Sequence, residues 1–303
     1  MPRRQRACDG RAGQRRAHPR LLQALAQASA EQCAGYGTDR QTARAVALIR
    51  NAVAQPQADV HLLVGGTQTN LIVISAFLRP HQAVIAVEAG HIAKHETGAI
   101  EATGHKVLTV PGLHDKLTPA LLQPVLAVHS NEHMVQPRLV YISDSTESGT
   151  IYTRAELEAL SRFCRERDLL LYLDGARLAA ALTANGNDLD LPTIAALTHA
   201  FYIGGTKNGV LLGEALVVIH PVLQADLRYL IKQRGALLAK GMVLSAQFAT
   251  LFEDGLFFEL AAHANAMAQR LRAGLLAAGV EFTSNSPTNQ QFVAVTATSP
   301  KFE

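Results

Sequence analysis

The chain has 303 residues, 48% of them hydrophobic and 17% charged, which suits one large α/β unit or two domains and excludes a disordered chain. No apolar run approaches the roughly 18 to 20 residues that cross a bilayer; the longest, residues 71–78, is interrupted by Ser75. The net charge of +3 arises at one end, since residues 1–20 hold seven arginines against Asp9 and leave 21 basic and 24 acidic residues, a net of −3, for the rest.

That Arg-rich arm, residues 1–20, lacks interleaved aromatics and is followed by no zinc-finger spacing, so neither nucleic acid nor a membrane is expected as a partner. Cys8, Cys33 and Cys164 are odd in number and scattered. They form no disulfide framework or metal knuckle and point to a reducing, cytoplasmic chain.

Beyond the arm, short apolar runs alternate with amphipathic stretches. The pattern predicts strands at 60–64, 84–88, 106–110, 139–143, 169–173, 201–204 and 216–220. Helical patterns lie between most of them, at 69–78, 118–128, 153–167 and, more weakly, 192–196. Such alternation argues for a mostly parallel sheet, because parallel neighbours need a crossover. The last two strands, joined by a Gly-rich loop, are placed to pair as a hairpin and contribute one antiparallel strand. From 224 to 278 the chain reads as helical, broken at Gly235, Gly241 and Gly255, and one strand-like run at 292–296 follows. The expected division is a large α/β domain over 21–245 and a smaller α+β domain over 246–303 that is short of material.

Four motifs fall at strand ends, where ligands of open α/β sheets bind. In VGGTQTN (64–70) a strand runs through Gly65 and Gly66 into Thr67 and a helix. The glycines allow close backbone approach, and the free N–H groups of the first turn favour an anion; an ordinary strand-to-helix turn reads equally well. In EAGHIAKHETGAIE (88–101), His91 follows a strand closely enough to lie over a planar cofactor, or to be a plain loop histidine. In LLLYLDGARL (169–178), Asp174 ends a strongly apolar strand, and its carboxylate needs a partner. A protonated ring nitrogen of pyridoxal phosphate would serve, with Arg177 gripping a carboxylate or phosphate; an internal Asp174–Arg177 ion pair is the alternative. In FYIGGTKNGVLLGE (201–214), Lys207 sits among glycines with no acid until Glu214. Desolvation there would depress its pKa, as Schiff-base formation requires. The four together match the needs of pyridoxal phosphate. A competing reading is a metallohydrolase, since His129, Glu132 and His133 spell HxxEH and His91 and His95 stand four apart; twelve histidines make such spacings common.

GGTQTN, EAGHIAKHETGAIEATGHK, SDSTESGTIYT, LYLDGARL, GGTKNG and KQRGALLAKG resemble the low-specificity L-threonine aldolase family, which is of the β-eliminating-lyase type within the fold type I pyridoxal-phosphate enzymes. The likeness runs from about residue 18 to 280. It implies a seven-stranded, mostly parallel sheet with helices on both faces, pyridoxal 5'-phosphate held as a Schiff base by Lys207, and Asp174 on the pyridine nitrogen. It further implies His91 on the ring, Gly65, Gly66 and Thr67 at the phosphate, Arg177 at the amino-acid or phosphate end, and Thr146 near the cofactor. The implied reaction is retro-aldol cleavage of threonine, or of allo-threonine and its relatives, to glycine and an aldehyde, in a homodimer or homotetramer and without a metal. Either His91 or an ordered water is the base on this reading. Two departures are expected to matter: the stretch 8–16 replaces the family's usual substrate-reaching segment, with Ala17-His18-Pro19 alone matching, and relatives continue past 303 to supply an Arg for the substrate carboxylate. Rival outcomes are another fold type I enzyme, a β-eliminating lyase or aminotransferase, and a homologue impaired in turnover.

Overall fold

The computed structural model describes residues 17–294; most of the Arg-rich arm, with Cys8, and the end of the 292–296 run lie outside them. Two helices open the described chain, Pro19–Ser29 and Arg40–Ala52. Neither is evident in the strand–helix alternation that begins near residue 60. Pro19 suits a first helical position, where its missing N–H costs nothing. Asp39 caps the second helix by accepting the Thr42 N–H at 2.9 Å.

The seven expected strands are all present: β1 Asp59–Leu63, β2 Gln82–Val87, β3 Val107–Val110, β4 Gln136–Ser143, β5 Leu170–Asp174, β6 Ala200–Gly204 and β7 Glu214–Val218. They form one sheet in the order β1-β7-β6-β5-β4-β2-β3. β7 runs antiparallel to both its neighbours, β6 and β1, and the remaining pairs are parallel, as the hairpin reading requires. Helices Gly66–Phe77, Pro119–Val128, Arg154–Glu166 and Leu191–Leu197 occupy the predicted crossovers. The third starts at a reciprocal cap, in which Thr153 and Glu156 each bond the other's backbone N–H.

Alternation along the strands builds two cores, one on each face. Ile85, Val140, Ile142, Leu171, Leu173, Phe201 and Ile203 face the larger one with helices Arg40–Ala52 and Arg154–Glu166. Val84, Tyr141, Tyr172, Tyr202 and Leu216 face the other, beneath helix Gly66–Phe77. Three of these inward residues are tyrosines with almost fully buried side chains, whose hydroxyls need partners.

After β7 the chain is helical, as expected. Helix Leu227–Gln233 stops before Gly235, helix Met242–Phe252 begins after Gly241, and helix Leu256–Ala277 follows Gly255. Gly235 and Gly255 have φ of 70° and 73°, a region open to glycine at little cost. Helix Met242–Phe252 passes through residue 245, packing on Arg40–Ala52. In the 292–296 run, Val293 makes an isolated bridge to Phe282.

Candidate active site

The carboxyl ends of β1, β4, β5 and β6, with the start of β7, surround a cleft of about 250 Å³. Of the residues expected at a site, Gly65, Gly66, Thr67, His91, Asp174, Arg177 and Lys207 all line it. Thr146 does not. It is buried, and its hydroxyl bonds Thr150 Oγ1 at 2.7 Å and accepts the Thr150 N–H at 3.1 Å, closing the turn that presents its neighbours Ser145 and Glu147 to the cleft.

Asp174 lies on the floor, 4% exposed. Its Oδ2 accepts the Tyr141 hydroxyl at 2.6 Å and the Asn70 amide at 3.0 Å; its Oδ1 accepts the Tyr202 hydroxyl at 2.5 Å and the Ala176 N–H at 3.0 Å. All four donors are neutral. The Asp174–Arg177 ion pair is not formed, and among the described residues no cation pairs with this carboxylate. Its negative charge therefore remains available to a cationic group entering the cleft.

A second network reaches the same place from the far side. Glu96 Oε1 bonds Asn70 Nδ2 at 2.8 Å and His91 Nδ1 at 2.9 Å, so Asn70 bridges the carboxylates of Glu96 and Asp174. Tyr172 completes it by donating to Asn70 Oδ1 at 2.9 Å. The bond to Glu96 raises the pKa of His91 despite burial, with further help from Glu147 and Asp174.

Lys207 follows β6 on a turn whose Gly205 N–H donates to Glu214 Oε2 at 2.9 Å. Burial lowers the pKa of Lys207, and the Arg177 guanidinium lowers it further against the opposing pull of Asp174, Glu147 and Glu214. Burial pushes Glu214 up to about 8. Close packing explains two of the glycines near Asp174: a Cβ on Gly66 would lie 2.9 Å from the Tyr202 hydroxyl, and one on Gly204 2.3 Å from the Ala176 carbonyl oxygen.

Sequence reading missed Asn70, Glu96, Tyr141, Tyr172, Tyr202, Glu147 and Glu214. One signal was present. Each tyrosine precedes the last residue of its strand motif by two, in VYIS, LYLD and FYIG, which puts all three on one face near the same edge. The metal alternative gains no third ligand: His129 Nδ1 bonds the Val135 carbonyl oxygen at 2.8 Å, and among the described residues no three His, Cys, Asp or Glu side chains converge as a metal would need.

Comparison with known proteins bears on the family and the fold. The family described as beta-eliminating lyase matches residues 16–298. A low specificity L-threonine aldolase from a Pseudomonas species is 37% identical over 238 residues, covering 78% of this chain and 68% of that protein. The protein of that name from Pseudomonas aeruginosa is 33% identical over 261 residues, 86% of this chain and 75% of its own. A solved structure of Leishmania major threonine aldolase is similar with a TM-score of 0.91 at 53% identity, over 92% of this chain and 81% of that one. A single mutant of Thermus thermophilus aspartate aminotransferase shares the fold, with a TM-score of 0.70 at 18% identity over 89% and 72% of the two chains.

Proposed function

The chain belongs to the beta-eliminating lyase family, and from that premise we propose that it cleaves L-threonine and related β-hydroxy-α-amino acids to glycine and an aldehyde with pyridoxal 5'-phosphate. The convergence of Lys207 and Asp174 on one cleft carries the proposal.

The donor set fits that cofactor. Asp174 offers a buried carboxylate held by neutral donors alone, which a protonated pyridine nitrogen complements. Gly65, Gly66 and Thr67 begin a helix whose first-turn N–H groups lack intrahelical partners and suit the phosphate. Lys207 would hold the cofactor through its aldehyde carbon, because its depressed pKa favours the free amine. When bound, the cofactor supplies the electron sink that Cα–Cβ cleavage needs. His91, fixed through Nδ1 by Glu96, would lie against the ring and keep its orientation. Arg177, which pairs with no carboxylate among the described residues, would receive the substrate carboxylate or the phosphate.

We extend the proposal to a homodimer or homotetramer. Leu211, on the loop that carries Lys207 and next to the cleft-lining Leu212, is 52% exposed, and a second subunit would cover it. Cys33 and Cys164 are both unpaired, which supports a reducing, cytoplasmic setting, and among the described residues no helix is long and apolar enough to cross a membrane.

The test is Lys207→Ala. Wild-type protein is expected to be yellow and to release glycine and acetaldehyde from L-threonine, with the variant folded, colourless and inactive. A borohydride-reducible chromophore that persists in the variant overturns the assignment of Lys207.

A further inference from the structure

We propose that Glu147 is the general base that takes the β-hydroxyl proton of the substrate, an assignment that rests on the threonine-cleaving reading above. Three carboxylates line the cleft: Glu147, Asp174 and Glu214. Two are occupied. Asp174 accepts four hydrogen bonds, and Glu214 accepts the Gly205 N–H. The carboxylate of Glu147 accepts no hydrogen bond and joins no ion pair among the described residues, so its oxygens are free to accept a proton from a ligand.

His91, the other titratable candidate, is committed elsewhere. Its Nδ1 is held by Glu96, and on the reading above its ring lies against the cofactor, which leaves Glu147 as the titratable side chain with both acceptor atoms free. Burial makes Glu147 a stronger base than an ordinary glutamate, and Asp174 adds to the effect, while His91, Arg177 and Lys207 oppose it. The surrounding turn is also rigidly placed, as a base must be. Residues from the end of the described chain clamp it: Ser145 Oγ donates to Gln290 Oε1 at 2.8 Å, Ser284 Oγ to the Ser148 carbonyl at 2.8 Å, and Ser286 Oγ to the Gly149 carbonyl at 3.0 Å.

In the step assigned, the substrate O–H bond breaks and its proton passes to a Glu147 oxygen. The freed electron pair becomes the second bond of the aldehyde C=O as the Cα–Cβ bond breaks. The pair from that bond stays with the glycine moiety until its α-carbon takes up a proton, so threonine yields glycine and acetaldehyde with no added oxidant or reductant.

Glu147→Gln in the cofactor-loaded enzyme tests this. The expected result is a loss of about 10²-fold or more in kcat on L-threonine, with disappearance of the limb along which wild-type kcat rises with pH. The visible spectrum of the bound cofactor, and glycine affinity read from it, should change less than about twofold, because glycine has no β-hydroxyl. Solvent-deuterium exchange at the α-carbon of glycine should likewise persist. A variant that keeps kcat within about fivefold, or keeps the rising limb, overturns the assignment alone. So does a parallel loss of glycine exchange, which would mark a general disturbance of the site. Wild-type protein that binds glycine but releases none from threonine overturns the underlying reading as well.

Discussion

His91 and Glu96 show how a single hydrogen bond sets the character of a residue. The Glu96 side chain is wholly buried and accepts from both His91 and Asn70. Because the folded-state pKa of His91 is raised above 6.5, its interaction with Glu96 is fully present below that value and weakens as pH rises through the folded pKa. Glu96→Gln removes the charge and keeps the shape. The His91 titration, followed by NMR, should move downward in this variant, and a His91 pKa that stays where it was would show that Glu96 does not govern it. Lys207, Asp174 and His91 could be singled out in advance because each stands at a motif whose chemistry is local. Glu96 and Asn70 could not: they lie 26 residues apart, and what joins them is the packing of helix Gly66–Phe77 over the loop after β2.

Close approach at the ends of β5 and β6 sets the geometry between Asp174 and Lys207. The Gly204 N–H donates to the Gly175 carbonyl at 2.9 Å, and a Cβ on Gly175 would lie 1.9 Å from the Tyr202 carbonyl oxygen. Backbone cannot yield to that intrusion without moving Tyr202, one of the donors to Asp174. Gly175→Ala should therefore cost about 2–3 kcal/mol or more, lowering Tm by several degrees and weakening cofactor retention. Thermal unfolding with and without added pyridoxal phosphate measures both; an unchanged Tm would mean that the two strands can separate freely. At this scale the strands, their crossovers and the antiparallel β7 follow from apolar runs and turn residues. The helices Pro19–Ser29 and Arg40–Ala52 are harder to read, since their buried residues are few: Leu21 and Ala28 in one, Ala45 and Ile49 in the other.

Across the whole molecule, buried acids set a dependence of stability on pH. Burial raises Asp144 from 3.8 to about 7 and Glu214 from 4.5 to about 8. Both hold a proton in the folded chain at pH values where the unfolded chain has lost it, so the folded state binds more protons between about pH 4 and pH 8. The stability they contribute is complete below the unfolded values, declines as pH rises through this window, and levels off above it. Tm of the cofactor-free chain should fall as pH is raised from about 5 to about 8, and Asp144→Asn with Glu214→Gln should flatten the slope. A slope unaffected by both substitutions would assign it to other groups.

The order of elements, the parallel character of the sheet, and the positions of Gly65, Gly66, Asp174, Arg177 and Lys207 at its carboxyl edge were already written in the amino-acid string, because hydrophobic period and turn chemistry act over a few neighbouring residues. Only the tertiary structure decided what surrounds them. Strand register stacked Tyr141 and Tyr172 side by side and set Tyr202 two residues further along, so that two hydroxyls meet Asp174 and the third meets Asn70. It likewise closed the Thr146 hydroxyl into its own turn and turned Glu147 toward the cleft. The tyrosines and their partners are dozens of residues apart in sequence, and nothing but the folded path of the chain brings them within hydrogen-bonding distance.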